Sequence, residues 1–397
     1  MLEMYDLLIK NARLYPLAGD AAVSAAHTLA VSDGRIAALG VPEDAPAREI
    51  FDARNQVILP GLVDCHTHAL YAGDRMAEHV LKMNGASYAE IAQAGGGIQT
   101  TVAAVRAASE QQLVEQTLPR LHALRAEGVT CVEIKSGYGL DTQTELKMLR
   151  AIRNLRRHID MDIVPTFLGA HAVPKGRSRE DYLDEVINEM LPVVAEEKLA
   201  DTVDIFVEHI AFTTDDLRRL FERTRKLGLR VRAHSDQLSN MGATALAAEL
   251  GALSCDHLEY SDETDLAAMA MHGTVAVLLP AAFYFLRETR KPPVELLRKH
   301  KIPMAVATDL NPGSAPVASL LAAMHMAGIL FGMTPAEILL GVTLHAATAL
   351  GRSGKIGGLT PGHHADFSVW DLPAPEFLTY QLGGLKPTAL FFKGKPA

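Results

Sequence analysis

The sequence predicts an α/β protein in which a (β/α)8 TIM-like barrel carries a small β-sandwich domain built from both termini. Between residues 59 and 351, apolar runs of strand length alternate with long amphipathic segments, as in parallel βαβ units. Eight such runs spread over roughly 290 residues, and eight is the number that closes a barrel of this kind. Short strand-like runs fill both ends of the 397-residue chain.

Each predicted barrel strand is a short apolar run, and segments of helical period lie between the strands. We place the strands at 57–62, 129–135, 163–168, 203–207, 229–233, 253–255, 274–279 and 304–308, with helices including 110–127, 142–157, 215–227 and 240–250. A doubly wound open sheet is the alternative fold. No Gly-x-Gly-x-x-Gly follows a strand to support it.

The two ends of the chain, residues 1–58 and 352–397, are predicted to form the small domain together, and residues 59–351 to form the barrel. Strands are expected at 6–12, 28–31, 36–40, 365–371 and 388–394. Neither end alone has enough strands to bury one face of a sheet well, so the two ends should combine. Two separate additions to the edges of the barrel are the alternative.

Composition restricts the partners and the compartment. The formal net charge of −9 argues against a nucleic-acid binder, which usually carries a basic stripe. Cys65, Cys131 and Cys255 lie in apolar, strand-like contexts and predict buried free thiols. No apolar run approaches the ~18 residues of a membrane span, and residues 1–10 lack the form of a signal peptide. We therefore expect a cytoplasmic protein with no membrane and no nucleic-acid partner.

Titratable residues recur where the predicted strands end. In a (β/α)8 barrel the functional residues stand at the carboxyl ends of the strands, so these side chains should meet at one rim. The first strand leads to His66 and His68, whose imidazoles share one face because side chains alternate with a period of two. Further rim residues are Lys135, Tyr138, His171, Glu208, His209, His234, Asp236, Asp256, His257 and Asp309.

This rim has the composition of a metal site. Three imidazoles and a carboxylate suit zinc or a first-row neighbour such as iron. A bound metal lowers the pKa of its water toward ~7 and so supplies a nucleophile near neutral pH. A neighbouring carboxylate can take the proton of that water and later give one to a leaving nitrogen. The pattern predicts hydrolysis of a C–N bond, and the Gly-x-Ser-x-Gly elbow of serine hydrolases is missing.

Five stretches of the chain carry a family resemblance. They are PGLVDCHTH (60–68), GASY with GGGI (85–88 and 95–98), SGYGL (136–140), FLGAHAVP (167–174) and ATDLNPGS (307–314). Through them the chain resembles the amidohydrolase superfamily and, within it, the imidazolonepropionase family. That resemblance implies hydrolysis of the cyclic amide C–N bond of 4-imidazolone-5-propanoate to N-formimidoyl-L-glutamate in histidine degradation, by a metal-activated water.

The resemblance also implies roles for individual residues. Those matching the metal ligands are His66, His68, His234 and Asp309. Those matching substrate-binding residues are Arg75 for the propionate, Tyr138 and His171 for the ring and carboxylate, and Asn311, Gly313 and Ser314 for the amino-acid-like part of the product. The catalytic candidates are Asp236, His257 and Asp309, where His257 would polarise the carbonyl or steer protons.

Two departures bear on this assignment. Asp236 stands where the family usually has Glu, one methylene longer, which puts rate and substrate preference in question. No lysine ends the fourth strand, so the carbamylated lysine of two-metal relatives is missing and we expect one zinc or iron ion per chain.

The resemblance leaves alternatives for the activity. A related amidohydrolase acting on another lactam, cyclic imide or aminated heterocycle is one, although Arg75 requires an acidic small-molecule substrate. A non-catalytic barrel is the other, although all the expected ligands are present. A homodimer is the assembly to test.

Overall fold

The computed structural model describes residues 4–19, 22–85 and 96–397. Its strands are β1 Tyr5–Lys10, β2 Arg13–Leu14, β3 Leu29–Ser32, β4 Arg35–Leu39, β5 Ala47–Asp52, β6 Val57–Pro60, β7 Leu62–Asp64, β8 Val129–Lys135, β9 Asp162–Ala170, β10 Thr202–Val207, β11 Arg230–Val231, β12 Ala233–Ser235, β13 Ser254–His257, β14 Val275–Leu278, β15 Met304–Val306, β16 Phe367–Trp370, β17 Ala389–Phe392 and β18 Lys395–Pro396.

Helices connect these strands. The α-helices are Met76–Met83, Ile98–Ala107, Glu110–Ala126, Thr142–Leu155, Arg179–Glu185, Leu191–Glu196, Thr214–Lys226, Ala243–Glu249, Glu263–His272, Pro280–Leu286, Val294–Lys299, Leu320–Phe331, Pro335–Gly341, Leu344–Ala349 and Phe377–Tyr380, and a π-helical turn covers Val186–Met190. No helix in the described ranges combines the length and the apolar character that a membrane crossing requires.

Eight parallel strands form the barrel, which confirms the predicted fold class. They are hydrogen-bonded in the order β7, β8, β9, β10, β12, β13, β14 and β15, and β11 also pairs with β10. The first and last strands meet just beyond their ends, where Asp309 N donates to His66 O and His68 N donates to Leu310 O, each over 3.0 Å. Thr308 Oγ1 donates to Asp64 Oδ2 over 2.6 Å at the same seam. The closure thus places His66, His68 and Asp309 side by side.

The side chains of a barrel strand point alternately to the covering helices and to the inside of the barrel. In β8, Val132 and Ile134 belong to the same apolar cluster as Leu121 and Leu149 of two covering helices. Glu133 and Lys135 alternate with those residues, and both are fully buried. Strand β8 therefore has an apolar outer face and a charged inner face.

The two ends of the chain form two further sheets. One has the order β4-β3-β1-β5 and the other the order β18-β17-β16-β6-β2, so the second sheet contains both termini. Their side chains share one apolar cluster, in which Phe51 of the first sheet meets Phe391 of the second edge-to-face at 5.3 Å. The shared core is what the predicted sandwich requires, while the exact domain boundaries stay a prediction.

The stretch 57–62, predicted as a single barrel strand, is divided between two sheets. Residues of β6 pair antiparallel with β16 in the terminal sheet, and β7 begins the barrel. Gly61 lies between them, and a Cβ there would come 2.1 Å from Thr130 Oγ1. Only glycine allows the chain to pass this close to β8 as it moves from one sheet to the other.

Candidate metal centre and active site

Four ligand atoms converge at the rim of the barrel. His66 Nε2 and His68 Nε2 lie 3.5 and 3.4 Å from Asp309 Oδ1. His234 Nε2 lies 3.3 Å from His68 Nε2. All four residues are 3% exposed or less. The structure thus brings together the four residues predicted as metal ligands.

The distances between these four atoms fit a cation with tetrahedral coordination. Ligand atoms about 2.0–2.1 Å from a common tetrahedral centre lie about 3.3–3.4 Å from one another. Among the described residues, His66 Nε2 is also buried without a hydrogen-bond partner, so its lone pair has no donor there. Burial lowers the pKa of His66 and of His68, which keeps both imidazoles neutral as metal binding requires. The donor set therefore fits a transition-metal ion.

A buried carboxylate holds His66 from behind. His66 Nδ1 lies 2.6 Å from Asp256 Oδ2, and this hydrogen bond turns Nε2 toward the metal site. The same oxygen accepts from Arg232 Nη2 over 2.6 Å, and Ser254 Oγ donates to Asp256 Oδ1 over 2.7 Å. Burial opposes the charge on Arg232, but Asp256 and other carboxylates outweigh it and raise the pKa of the guanidinium.

A second carboxylate stands behind His234. Asp204 Oδ2 lies 3.1 Å from His234 Nδ1 and accepts from Lys135 Nζ over 2.9 Å. Lys135 Nζ also donates to Glu133 Oε1 over 2.8 Å, and Glu133 Oε2 accepts from the amide of Thr67 over 3.0 Å. Thr67 lies between the predicted ligands His66 and His68. These contacts therefore connect His234 to the segment that carries the other two histidines.

We call Glu133, Lys135, Asp204, Arg232 and Asp256 the inner network. All five are fully buried inside the barrel. Three carboxylates face two cations, which leaves one negative charge, and Asp309 adds a second beside the histidines. A divalent cation would balance these two charges. Lys135 is held as an ammonium between the carboxylates of Glu133 and Asp204.

The predicted ligands His68, His234 and Asp309 line a cavity, and the wall of this cavity beside His68 is aromatic. The imidazole of His171 stacks on that of His68 with ring centres 5.1 Å apart, and the Tyr138 ring lies 5.5 Å from His171. His171 Nδ1 donates to Gly137 O over 2.9 Å, while burial lowers the pKa of His171 to about 4. His171 is therefore neutral with a proton on Nδ1, and its Nε2 is an acceptor. Both residues line the cavity, as predicted.

The predicted loop Asn311–Ser314 also lines the cavity. Asn311 Oδ1 accepts from the amides of Gly313 and Ser314 over 2.8 and 2.7 Å. Asn311 Nδ2 donates to Asp309 O over 2.7 Å. The Asn311 side chain thus shapes this loop and fixes it to a metal-ligand residue, and its role in substrate binding stays a prediction.

Arg75 and His257 lie on other parts of the same wall. Arg75 donates to Glu78 and packs against Gly313. The His257 ring lies 5.5 Å from that of His234 and 6.0 Å from that of His66. Burial lowers the pKa of His257, so a neutral imidazole borders the metal site.

Asp236 does not join this group. Its backbone is left-handed with a φ of 55°, and its carboxylate accepts from Ser261 Oγ over 2.9 Å. Asp236 is not among the described residues that line the cavity, whereas the next residue, Gln237, is. The sequence did not lead us to predict Gln237. The chain turns after β12, and the carboxylate is held by Ser261 instead of lining the cavity. Glu208 secures the turn by accepting from the amides of Leu238 and Ser239.

Charged residues inside otherwise apolar strands are the signal that could have revealed the inner network. Glu133 and Lys135 end the apolar β8, and Asp204 interrupts β10. Of the stretches that carry the family resemblance, residues 86–88 and Gly95 lie outside the described residues. Gly96 and Gly97 are described, and Gly97 lines the cavity.

Comparison with known proteins agrees with this geometry. Residues 57–397 match the model of the amidohydrolase family. The imidazolonepropionase of Hahella chejuensis is 52% identical over 396 residues, covering 97% of this chain and 98% of that protein. The imidazolonepropionase of a Bradyrhizobium strain is 52% identical over 392 residues, covering 96% and 97%.

Solved structures support the fold. An adenosine deaminase from Xanthomonas campestris with bound zinc gives a TM-score of 0.75 at 18% identity, covering 100% of this chain and 93% of its own. A 5-methylcytosine deaminase from Klebsiella pneumoniae gives 0.74 at 18% identity, covering 98% and 96%. The family match, the two relatives and the converging ligands lead to one assignment. The chain belongs to the amidohydrolase family and, within it, to the imidazolonepropionases.

Proposed function

We propose that this site opens the five-membered ring of 4-imidazolone-5-propanoate by hydrolysis. The ring C–N bond next to the carbonyl breaks, the carbonyl carbon becomes a carboxylate, and the product is N-formimidoyl-L-glutamate of histidine degradation. The observation that carries this proposal is the coincidence of two features in one cavity. A metal-ligand cluster of three imidazoles and a carboxylate faces Arg75, a cation suited to the propionate.

The metal ligands are His66, His68, His234 and Asp309. When bound, a transition-metal ion lowers the pKa of its water toward about 7 and so supplies the nucleophile. Burial raises the pKa of Asp309 well above its usual value, and a bound cation would stabilise its negative charge. We assign to Asp309 the proton taken from the attacking water and given to the leaving ring nitrogen.

Two neutral imidazoles act on the ring. His257 can donate a hydrogen bond to the carbonyl oxygen, where negative charge develops in the transition state. His171 accepts through Nε2 because its Nδ1 proton is committed to Gly137, and a ring N–H of the substrate is the donor that it fits. Tyr138 closes the same wall, and burial raises the pKa of its phenol, so it remains a neutral donor.

The part of the cavity wall formed by Arg75 and the loop Asn311–Ser314 suits the propionate of the substrate. Arg75 and the loop Asn311–Ser314 lie against each other, since a Cβ on Gly313 would come 2.1 Å from Arg75 Nη1. A guanidinium binds a carboxylate through parallel hydrogen bonds. The propionate is therefore assigned to Arg75, beside the loop that receives the amino-acid-like part of the product.

We also propose one ion per chain, either zinc or iron. Three imidazoles and one carboxylate suit both ions, and Lys135 is committed to Glu133 and Asp204. Elemental analysis of the purified protein distinguishes the two metals and counts the ions.

A direct assay tests the activity. Wild-type protein is mixed with 4-imidazolone-5-propanoate, and loss of ring absorbance is followed together with the mass of the product. The proposal requires N-formimidoyl-L-glutamate, with one oxygen from labelled water in its new carboxylate. Turnover of a neutral lactam or an aminated heterocycle, with none of this substrate, would assign the site to another amidohydrolase reaction.

A further inference from the structure

The Arg75 guanidinium already has an acidic partner within this chain. Arg75 precedes the helix Met76–Met83, and Glu78 lies in the first turn of that helix. Arg75 Nε and Nη2 both donate to Glu78 Oε2, over 2.9 and 2.6 Å. The side chains of Arg75 and Glu78 are 18% and 15% exposed, and both line the cavity. The pair is therefore part of the active-site wall.

The second oxygen of Glu78 ties this pair to the next helix. Glu78 Oε1 accepts from the amide of Gly97 over 2.9 Å and from Thr100 Oγ1 over 3.2 Å. Gly97 stands at the start of the helix Ile98–Ala107 with a φ of 90°. Burial raises the pKa of Glu78, but the hydrogen bonds from Arg75 and Gly97 outweigh it and lower the pKa overall. The ionised carboxylate thus joins two helices and the arginine.

The opposite side of the guanidinium faces the loop Asn311–Ser314. Any side chain at Gly313 would collide with Arg75 Nη1, because a Cβ there would lie 2.1 Å away. An arginine has five N–H groups in a planar fork. Glu78 engages the Nε–Nη2 edge, and the Nη1 side is turned toward the loop.

We propose that Glu78 is a positioning residue that presets Arg75 for the carboxylate of the substrate. This inference rests on the proposed function and names a residue that sets its preference for acids. A long side chain that is already held in place loses less rotamer freedom on binding than a mobile one. Glu78 therefore favours ligands that bear a carboxylate and has no effect on uncharged ones. A competing role, in which Glu78 must leave Arg75 before the substrate binds, predicts the opposite sign.

Equilibrium binding separates these roles. The probes are 3-(imidazol-4-yl)propanoate and 4-methylimidazole, titrated by calorimetry into metal-loaded wild-type protein and its Glu78→Ala variant. We expect the dissociation constant of the acid to rise about three- to tenfold in the variant, while that of 4-methylimidazole stays the same. Glu78→Gln keeps one acceptor oxygen for Arg75 and should fall between the two proteins. Glu115→Ala, which changes an exposed glutamate, is the matched control.

A double substitution shows whether Glu78 acts through Arg75. If it does, adding Glu78→Ala to Arg75→Met should not weaken binding of the acid any further. Equal weakening of both probes, unchanged binding of the acid or tighter binding of the acid would each overturn the inference. Metal content and melting temperature identify a variant that fails to fold, and Glu78→Gln then carries the test. Turnover is not needed for these readings, so failure of the proposed activity is recognised separately.

Discussion

Removing the charge of Asp256 should weaken metal binding without removing a metal ligand. In Asp256→Asn the side chain keeps its size. Its remaining oxygen can still accept from His66 Nδ1 and Arg232 Nη2, which both lie 2.6 Å from Asp256 Oδ2. The new amide group would face Ser254 Oγ, a hydroxyl that can accept instead of donate. The substitution therefore removes the negative charge behind His66 and keeps the hydrogen bonds.

The magnitude follows from the hydrogen bond that changes. A charge-assisted hydrogen bond is roughly twice as strong as a neutral one, and a bond to a charged group contributes about 1.5–3 kcal/mol. Loss of the charge should thus cost about 1–2 kcal/mol of metal-binding free energy. This corresponds to about a 5- to 30-fold rise in the dissociation constant, which overlaps the roughly 10- to 100-fold range typical when the partners of metal-binding histidines are replaced.

Competition with a chromophoric chelator measures this constant for zinc. Asp366→Asn is the matched control, because Asp366 is also buried but lies beside the terminal sheets. We expect the control to bind zinc as the wild type does. A folded Asp256→Asn protein with unchanged zinc affinity would refute the view that the inner network holds His66 for the metal.

Further expectations concern the ligands, the substrate and acid stability. His234→Ala should release the metal, whereas His122→Ala on the exposed face of a helix should retain it, as elemental analysis will show. Arg75→Met should lower kcat/KM on 4-imidazolone-5-propanoate at least about tenfold with unchanged metal content, and equal losses on an uncharged imidazolone would assign Arg75 to the scaffold. Arg298 lowers the pKa of Glu337 from 4.5 to about 2, so this carboxylate stabilises the fold above pH 4.5 and progressively less as the pH falls toward 2. Glu337→Gln should therefore lose about 1–2 kcal/mol at neutral pH, after allowance for solvent screening, and show a smaller loss of stability between pH 5 and pH 3 in urea titrations; an unchanged acid profile would contradict this.

Much of the fold could be predicted because local pattern and tertiary role agree. Strand β8 has the predicted bounds, since an apolar run is enclosed by a helix end and a glycine turn. The stretch 57–62 was wrong as a single strand, because its apolar pattern continues while its pairing partner changes from β16 to β8. Strand β5 was missed because its burial is low and no apolar alternation marks it.

A site residue could be predicted where the end of a strand determines its position. It could not be predicted where the direction of its side chain decides. His66, His68, His234 and Asp309 follow strands that a barrel brings to one rim. Asp236 also follows a strand, but its carboxylate accepts from Ser261 Oγ and does not line the cavity, and no periodicity forecasts that direction. The inner network escaped notice because charged residues in apolar strands were not read as buried partners of one another.

The most direct measurement is turnover as a function of bound metal. Metal-depleted protein is titrated with zinc or iron, and the rate of 4-imidazolone-5-propanoate loss is recorded against ions bound per chain. The account predicts a linear rise that levels off at one ion per chain. Full activity without metal, or a rise that continues to two ions per chain, would contradict it.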